Sequence, residues 1–297
     1  MNRTLSVALS LMIVAAAQGW AEPAAVLLSA SGPVETAADA TGPWRPVRVG
    51  QGFEPGNVVR VAGGEAVLFW SDARSQTVRA PATVRIEPNA RGRRSGGALG
   101  RLWDALVKRA RLAMTRERLF SDAGAVRALP SFRIDLSRPR NTSVLEFPRQ
   151  VVWAAVSGVE TYRVTLSDAN GSVLWTGLTS SPGAELPAAR IPAERGAYYF
   201  LVVSDSQTAG TGSGKAYFRV LPEASKKAVD EDVAAIEREF PAGSAGRTLA
   251  VGAIYEHWDL LDEALRTYEA AGGAARPELS AAMDLVFVRN GRRWAIR

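Results

Sequence analysis

Apolar and polar positions change period along this chain, and each change predicts a different kind of element. From 22 to 90 the spacing is strand-like. Asn57-Val58-Val59-Arg60-Val61 runs into Gly63-Gly64, a turn signal, and Ala66, Leu68 and Trp70 then recur at every second position before Ser71-Asp72. Val78, Ala80, Val84 and Ile86 continue the pattern, with Pro81 marking an edge or a bulge. The expectation is a small all-β module.

The period switches to helical after the glycine-rich stretch Arg91–Gly97. Leu99, Leu102, Trp103, Leu106, Val107, Ala110, Ala113 and Met114 fall within a stripe about 140° wide at 100° per residue. Arg101, Lys108 and Arg111 lie across from it. Two arrangements produce such a helix. It can lie on an anionic lipid surface with its cations outward, or dock on a neighbouring domain with a solvated basic back, which is the commoner arrangement.

From 141 to 222 the pattern returns to strands. Seven short candidates centre on Val144-Leu145, Val151–Ala154, Tyr162–Leu166, Val173–Trp175, Glu185-Leu186, Tyr198–Val203 and Ala216–Leu221. Seven strands suit a β-sandwich, and Tyr162, Val164 and Leu166 alternate with polar neighbours as a half-buried strand requires. With Trp153 and Tyr162 early and Gly196-x-Tyr198-x-Phe200-x-Val202 late, the segment resembles a fibronectin type III or immunoglobulin-like sandwich. Ala209–Ala216 imitates a phosphate-binding loop. It has Ala209 in place of the first glycine and Ala216 in place of the magnesium-holding hydroxyl, and it joins two strands, so it is expected to be a hairpin loop.

The final segment, 223–297, is helical in period. Ser225–Phe240 predicts a surface helix stopped at Pro241 and Gly243. Gly252, Tyr255, Ala264, Tyr268 and Ala271 then resemble one tetratricopeptide repeat, with Asp259 standing where that pattern wants glycine. Pro277 opens a further helix. One repeat leaves a face to be covered, so Tyr255 and Tyr268 are the candidate lining of a partner groove. His257 has no partner group placed by spacing and is expected to be an ordinary helix residue.

Composition narrows the chemistry. The 297 residues are 47% hydrophobic and 22% charged, with no cysteine and one histidine. Thiolate chemistry, disulfides and a paired-histidine metal site are excluded, and no cofactor or metal is implied. The net charge of +6 is local: residues 91–118 hold nine basic side chains against Asp104 and Glu117, and the remainder is near neutral. Asn2-Arg3, the apolar run Leu5–Ala17 and the small residues Gly19 and Ala21 form an export signal, with cleavage expected before Glu22. A periplasmic location follows, with secretion as the alternative, and nucleic acid is then not an expected partner.

The skeleton Gly32-x-Val34, Trp44, Val47, Gly50, Gly56-x-Val58-x-Arg60, Gly63-Gly64, Ala66-x-Leu68 and Asp72 resembles the FecR-type extracytoplasmic domain. Gly56-Asn57 replaces the family's usual Gly-Asp, and Val61 its usual Thr. The resemblance implies a regulatory or envelope-assembly role. Members that regulate sigma factors add a membrane-spanning helix, and no apolar run of that length follows the leader here.

The chain is thus expected to be multidomain and mainly β. A leader at 1–21 precedes a FecR-like module at 22–90, a basic linker with an amphipathic helix at 91–140, a sandwich at 141–222 and a helical segment at 223–297. The favoured function is a non-catalytic interaction, scaffold or regulatory component of the bacterial envelope. Its partner would be an envelope protein or anionic polymer, with anionic lipid as a peripheral contact of Arg101, Lys108 and Arg111. The competing class is a cell-wall glycan-binding module or a periplasmic enzyme acting on envelope polymer.

Overall fold

A computed structural model describes residues 23–88, 97–121, 134–207 and 212–290, with side chains on the first helix described through position 112. The leader, its cleavage point, the arginines at 91–94 and the first part of the 209–216 loop lie outside the described residues.

The first module contains eight strands: β1 (Ala25–Ala30), β2 (Val34–Ala37), β3 (Arg45–Pro46), β4 (Gly52–Phe53), β5 (Val58–Val61), β6 (Glu65–Trp70), β7 (Ser75–Arg79) and β8 (Ala82–Arg85). They form two antiparallel four-stranded sheets, ordered β4-β1-β6-β7 and β3-β2-β5-β8. The Gly63-Gly64 turn therefore carries the chain from one sheet to the other rather than closing a hairpin. Gly32 is fixed at this crossing, because a Cβ there would sit 2.1 Å from the Gly63 carbonyl oxygen.

β1 and β6 are covered on both faces. Ala25, Leu27, Ala66, Leu68 and Trp70 fill the core between the sheets. Val26, Leu28 and Phe69, on the opposite face, belong to a second core shared with helices. That double burial is why Val26–Leu28 and Leu68–Trp70 read as unbroken apolar runs.

The helices are α1 (Ala98–Ser121), α2 (Glu223–Glu239), α3 (Ala245–His257), α4 (Leu261–Ala270) and α5 (Pro277–Arg289). Ser244 caps α3 by accepting a hydrogen bond from the Arg247 backbone N–H at 3.1 Å. In the shared core, Leu102, Trp103, Leu106 and Val107 of α1 meet Ile236, Leu249, Ile254, Leu265 and Val286. Phe69 sits against Trp103 and Phe240, with ring centroids 6.3 and 6.4 Å away. The apolar stripe of α1 from Leu99 to Val107 is thus docked, and a helix placed by sequence in a linker forms part of the main core.

The sandwich contains β9 (Leu136–Arg138), β10 (Thr142–Val144), β11 (Gln150–Trp153), β12 (Tyr162–Asp168), β13 (Val173–Thr179), β14 (Gly183–Glu185), β15 (Tyr198–Asp205) and β16 (Ala216–Val220). A five-stranded sheet, β10-β16-β15-β12-β13, faces a three-stranded sheet, β14-β11-β9. All seven expected strands are present, and β9 adds one from the segment expected to be linker. Trp153 and Tyr162 meet edge-on at 5.2 Å in the core. The Tyr199 hydroxyl accepts from the Glu194 N–H at 2.7 Å and donates to the Pro192 carbonyl at 3.1 Å. This ties the start of β15 to the preceding corner, as in Greek-key sandwiches.

One expectation needs correcting. Helix and strand contribute about equally among the described residues, so the fold is mixed rather than mainly β. Single-segment patterns missed this because α1 joins helices more than a hundred residues away to make one layer. That layer touches both β modules.

Candidate functional site

Three regions could carry function: the basic helix, the interior of the helical pair, and the surfaces where the sandwich faces solvent or the helical layer.

The three basic residues singled out on α1 do not share one environment. Arg101 is turned toward α2, where its Nε donates to Asp232 Oδ2 at 2.6 Å and its Nη2 to Oδ1. Asp232 is 1% exposed, and it also accepts from Trp258 Nε1 at 3.0 Å. Donating to Asp232 raises the pKa of Arg101 above the ordinary guanidinium value. Lys108 and Arg111 are exposed. The stripe that would enter a lipid surface is spent on the protein core, and one of the three cations is committed to a buried carboxylate.

Arg109, not singled out by sequence, is 4% exposed. Its Nη2 donates to Glu256 Oε1 and to the Tyr268 hydroxyl, and that hydroxyl donates to Glu256 Oε1 at 2.8 Å. Burial opposes the charge on Arg109, but Glu256 and Tyr268 outweigh it and hold its pKa above the ordinary value. Burial likewise pushes Tyr268 well above the usual phenol range. Arg289 adds a second cation, 3.5 Å from Glu256 Oε2 and 3.3 Å from Asp259 Oδ1. A sequence signal existed, since Arg109 lies only about 20° beyond Leu102 on the helical wheel and Glu256 interrupts an apolar helix.

Tyr268 consequently does not line a groove. It is fully buried, with its ring against Gly252, where a Cβ would fall 2.1 Å from Tyr268 Cε1. The small residue at 252 allows the close approach of α3 and α4, as the repeat pattern implies, but α1 and α5 complete the packing. Tyr255 is half-buried against the cluster of Leu221, Val229 and Leu260, and burial raises its hydroxyl pKa. Asp259 has φ +61°, which explains why glycine is wanted at that position. Its carbonyl accepts from the Ser143 N–H at 2.8 Å and Thr142 Oγ1 at 3.0 Å, fastening the sandwich to the helical pair.

Between the sandwich and α4 lies a cleft of about 580 Å³ lined by Glu146, Phe147, Arg149, Asp262, Glu263 and Arg266, among others. Two of its carboxylates are shifted in opposite directions. Glu146 is held below the usual range, first by its hydrogen bond from Lys226 and then by Arg195. Glu263 is raised by burial, partly countered by Arg266.

The third surface is the outer edge of the five-stranded sheet. β13 pairs with β12 on one side and has no ladder partner on the other among the described residues. Its seven residues carry no charge and no proline, and Val173 and Leu178 are 62% and 64% exposed. The other outer strands are guarded. β3, β7, β8, β9 and β14 contain Arg, Pro or Glu, β4 spans two residues, and β10 is tied to the helical layer.

No protein-family model matches this chain, and no curated protein sequence matches it. No helix among the described residues is long and apolar enough to cross a membrane, and none of their carboxylates and histidine cluster as a metal site would require.

Proposed function

We propose that this chain is an exported, non-catalytic scaffold of the bacterial envelope that docks an extended segment of an envelope protein along β13. One observation carries the reading: β13 is a long, uncharged, proline-free outer strand with two large apolar side chains in solvent. Natural sheets protect such edges with charge, proline or cover, because the free backbone groups recruit another strand. Among the described residues the other outer strands carry charge or proline, are covered, or, in β4, span only two residues. Backbone hydrogen bonds would supply affinity, and the alternating side chains at Val173, Thr176 and Leu178 selectivity.

The rest of the fold supports a scaffold. The helical layer packs on β1 and β6 and is fastened to β10, so the first module and the sandwich present their surfaces from one framework. The first module reads as FecR-like, the sandwich as fibronectin type III-like, and α3–α4 as one tetratricopeptide-like hairpin. Export places the docking strand in the periplasm. Contact with anionic lipid, if made, falls to exposed cations such as Lys108 and Arg111, because the apolar face of α1 is occupied.

The experiment is a native size measurement of the chain isolated from its own periplasm, beside Thr176→Pro and Leu178→Lys. The wild type should elute in an assembly larger than the single mature chain, which is the 31.7 kDa product less its cleaved leader, and both variants as that free chain with unchanged melting. An unassembled wild type, or variants that keep the assembly, would refute the reading.

A further inference from the structure

The outer face of the five-stranded sheet meets the helical layer in a hollow of about 220 Å³, separate from the carboxylate cleft and from the β13 edge. Tyr198 and Tyr217 form one wall. In the β15–β16 register Tyr198 pairs with Arg219 and Phe200 with Tyr217, which places these side chains on the outer face, opposite buried Tyr199 and Phe218. The two tyrosine rings lie 5.9 Å apart at 55°, and the Arg219 guanidinium sits 5.4 Å from the Tyr198 ring centroid. Trp258 and His257 from the end of α3 form the facing wall, and Ser143, Leu221, Ser225 and Asp259 complete the lining.

We propose that this hollow binds one ring of a neutral saccharide chain. The reasons are chemical. A pyranose has a C–H-rich face that lies flat on aromatic rings and an equatorial belt of hydroxyls that need donors and acceptors. The tyrosines and Trp258 offer the first, with a polar tip on each tyrosine. Arg219, His257, Asp259 and the two serines offer the second. Arg219 and Asp259 carry opposite charges, which disfavours a strongly anionic or cationic ligand. The volume lies below the roughly 300–1,000 Å³ of pockets for drug-sized ligands, so a single ring fits. Tyr198 is 43% exposed and His257 is exposed, leaving a mouth through which the rest of a polymer can continue.

The walls are also fixed before any ligand arrives. The Trp258 indole is held by its bond to Asp232, the Asp259 backbone by Ser143 and Thr142, and the Asp259 carboxylate by Arg289. Binding then orders few side chains, which lowers its entropic cost. The site needs both the sandwich and the helical layer, and it does not depend on the docking role of β13.

The test is calorimetric titration of the purified full chain with chitotetraose, cellotetraose and maltotetraose, with tryptophan fluorescence as a second readout through Trp258. At least one should bind saturably with Kd near or below about 1 mM. Tyr198→Ala should weaken that binding at least tenfold without lowering the melting temperature, and Leu178→Lys should leave it unchanged. Binding of none of the three at about 20 mM would overturn the proposal. So would binding that Tyr198→Ala does not alter. Loss of assembly in Leu178→Lys with saccharide binding intact would separate this site from the docking edge.

Discussion

Arg109 and Glu256 stand 147 residues apart in the chain and are paired in its interior, their side chains 4% and 6% exposed. The Tyr268 hydroxyl closes the group. This contact makes α1 part of the helical layer rather than a linker, and through that layer it joins the two β modules.

Removing Arg109 takes away the nearer of the two cations beside Glu256 and leaves that buried carboxylate to Arg289, 3.5 Å from its other oxygen, and to the Tyr268 hydroxyl. Arg109→Met should therefore destabilise the protein by about 3–5 kcal/mol in denaturant unfolding. Arg109→Met combined with Glu256→Gln should recover a substantial part of that loss. A single variant within about 0.5 kcal/mol of wild type would show that the pair contributes no such clamp.

Arg101 tests whether the basic face of α1 serves the fold or a surface. Arg101→Gln leaves Asp232 with Trp258 Nε1 as its remaining described partner and should cost about 1–3 kcal/mol, whereas Lys108→Gln should leave stability unchanged. Association with anionic vesicles, measured by co-sedimentation at low salt, should respond to Lys108→Gln and Arg111→Gln. Equal stability effects at 101 and 108 would contradict the assignment.

Gly252 is a steric requirement. A methyl group there would overlap the Tyr268 ring, so Gly252→Ala should destabilise by about 1–3 kcal/mol despite the better helix propensity of alanine. Thermal melting of the variant beside wild type decides it, and a raised melting temperature would show that the helices can separate at no cost.

Glu263 supplies a pH dependence. Burial raises its folded pKa above the ordinary 4.5, so the folded state binds the proton more tightly than the unfolded state does. The stabilising contribution of the proton is fully present below pH 4.5 and is lost as pH rises through the folded value. Glu263→Gln should accordingly be more stable than wild type at neutral pH, with the advantage vanishing below pH 4.5. An advantage that grows toward acid pH would reverse the sign and refute the burial argument.

Much of the fold was legible because local periods report local burial. The Tyr162–Leu166 alternation, the helix stop at Pro241 and Gly243 and the Gly252–Tyr268 spacing each describe contacts near in sequence. The role of α1 was not legible, because its stripe says only that something covers it. The covering side chains, Ile236, Leu249 and Leu265 among them, lie more than a hundred residues later. Tyr268 was misplaced for the same reason: one helical hairpin leaves a face open, and the cover came from α1 and α5. The β13 edge was half visible. Its short Val173–Trp175 strand was expected, but which strand ends the sheet depends on the pairing order, and that order is a property of the whole sandwich.

Docking of a partner strand along β13 is tested at the level of single residues by photo-crosslinking in the native periplasm. A benzophenone amino acid is placed at Leu178, with Lys227, 78% exposed on α2, as the control position. Position 178 should give a discrete higher-mass adduct that disappears when Thr176→Pro is added, and position 227 should give no such adduct. The same adducts from both positions, or none from 178, would contradict docking there.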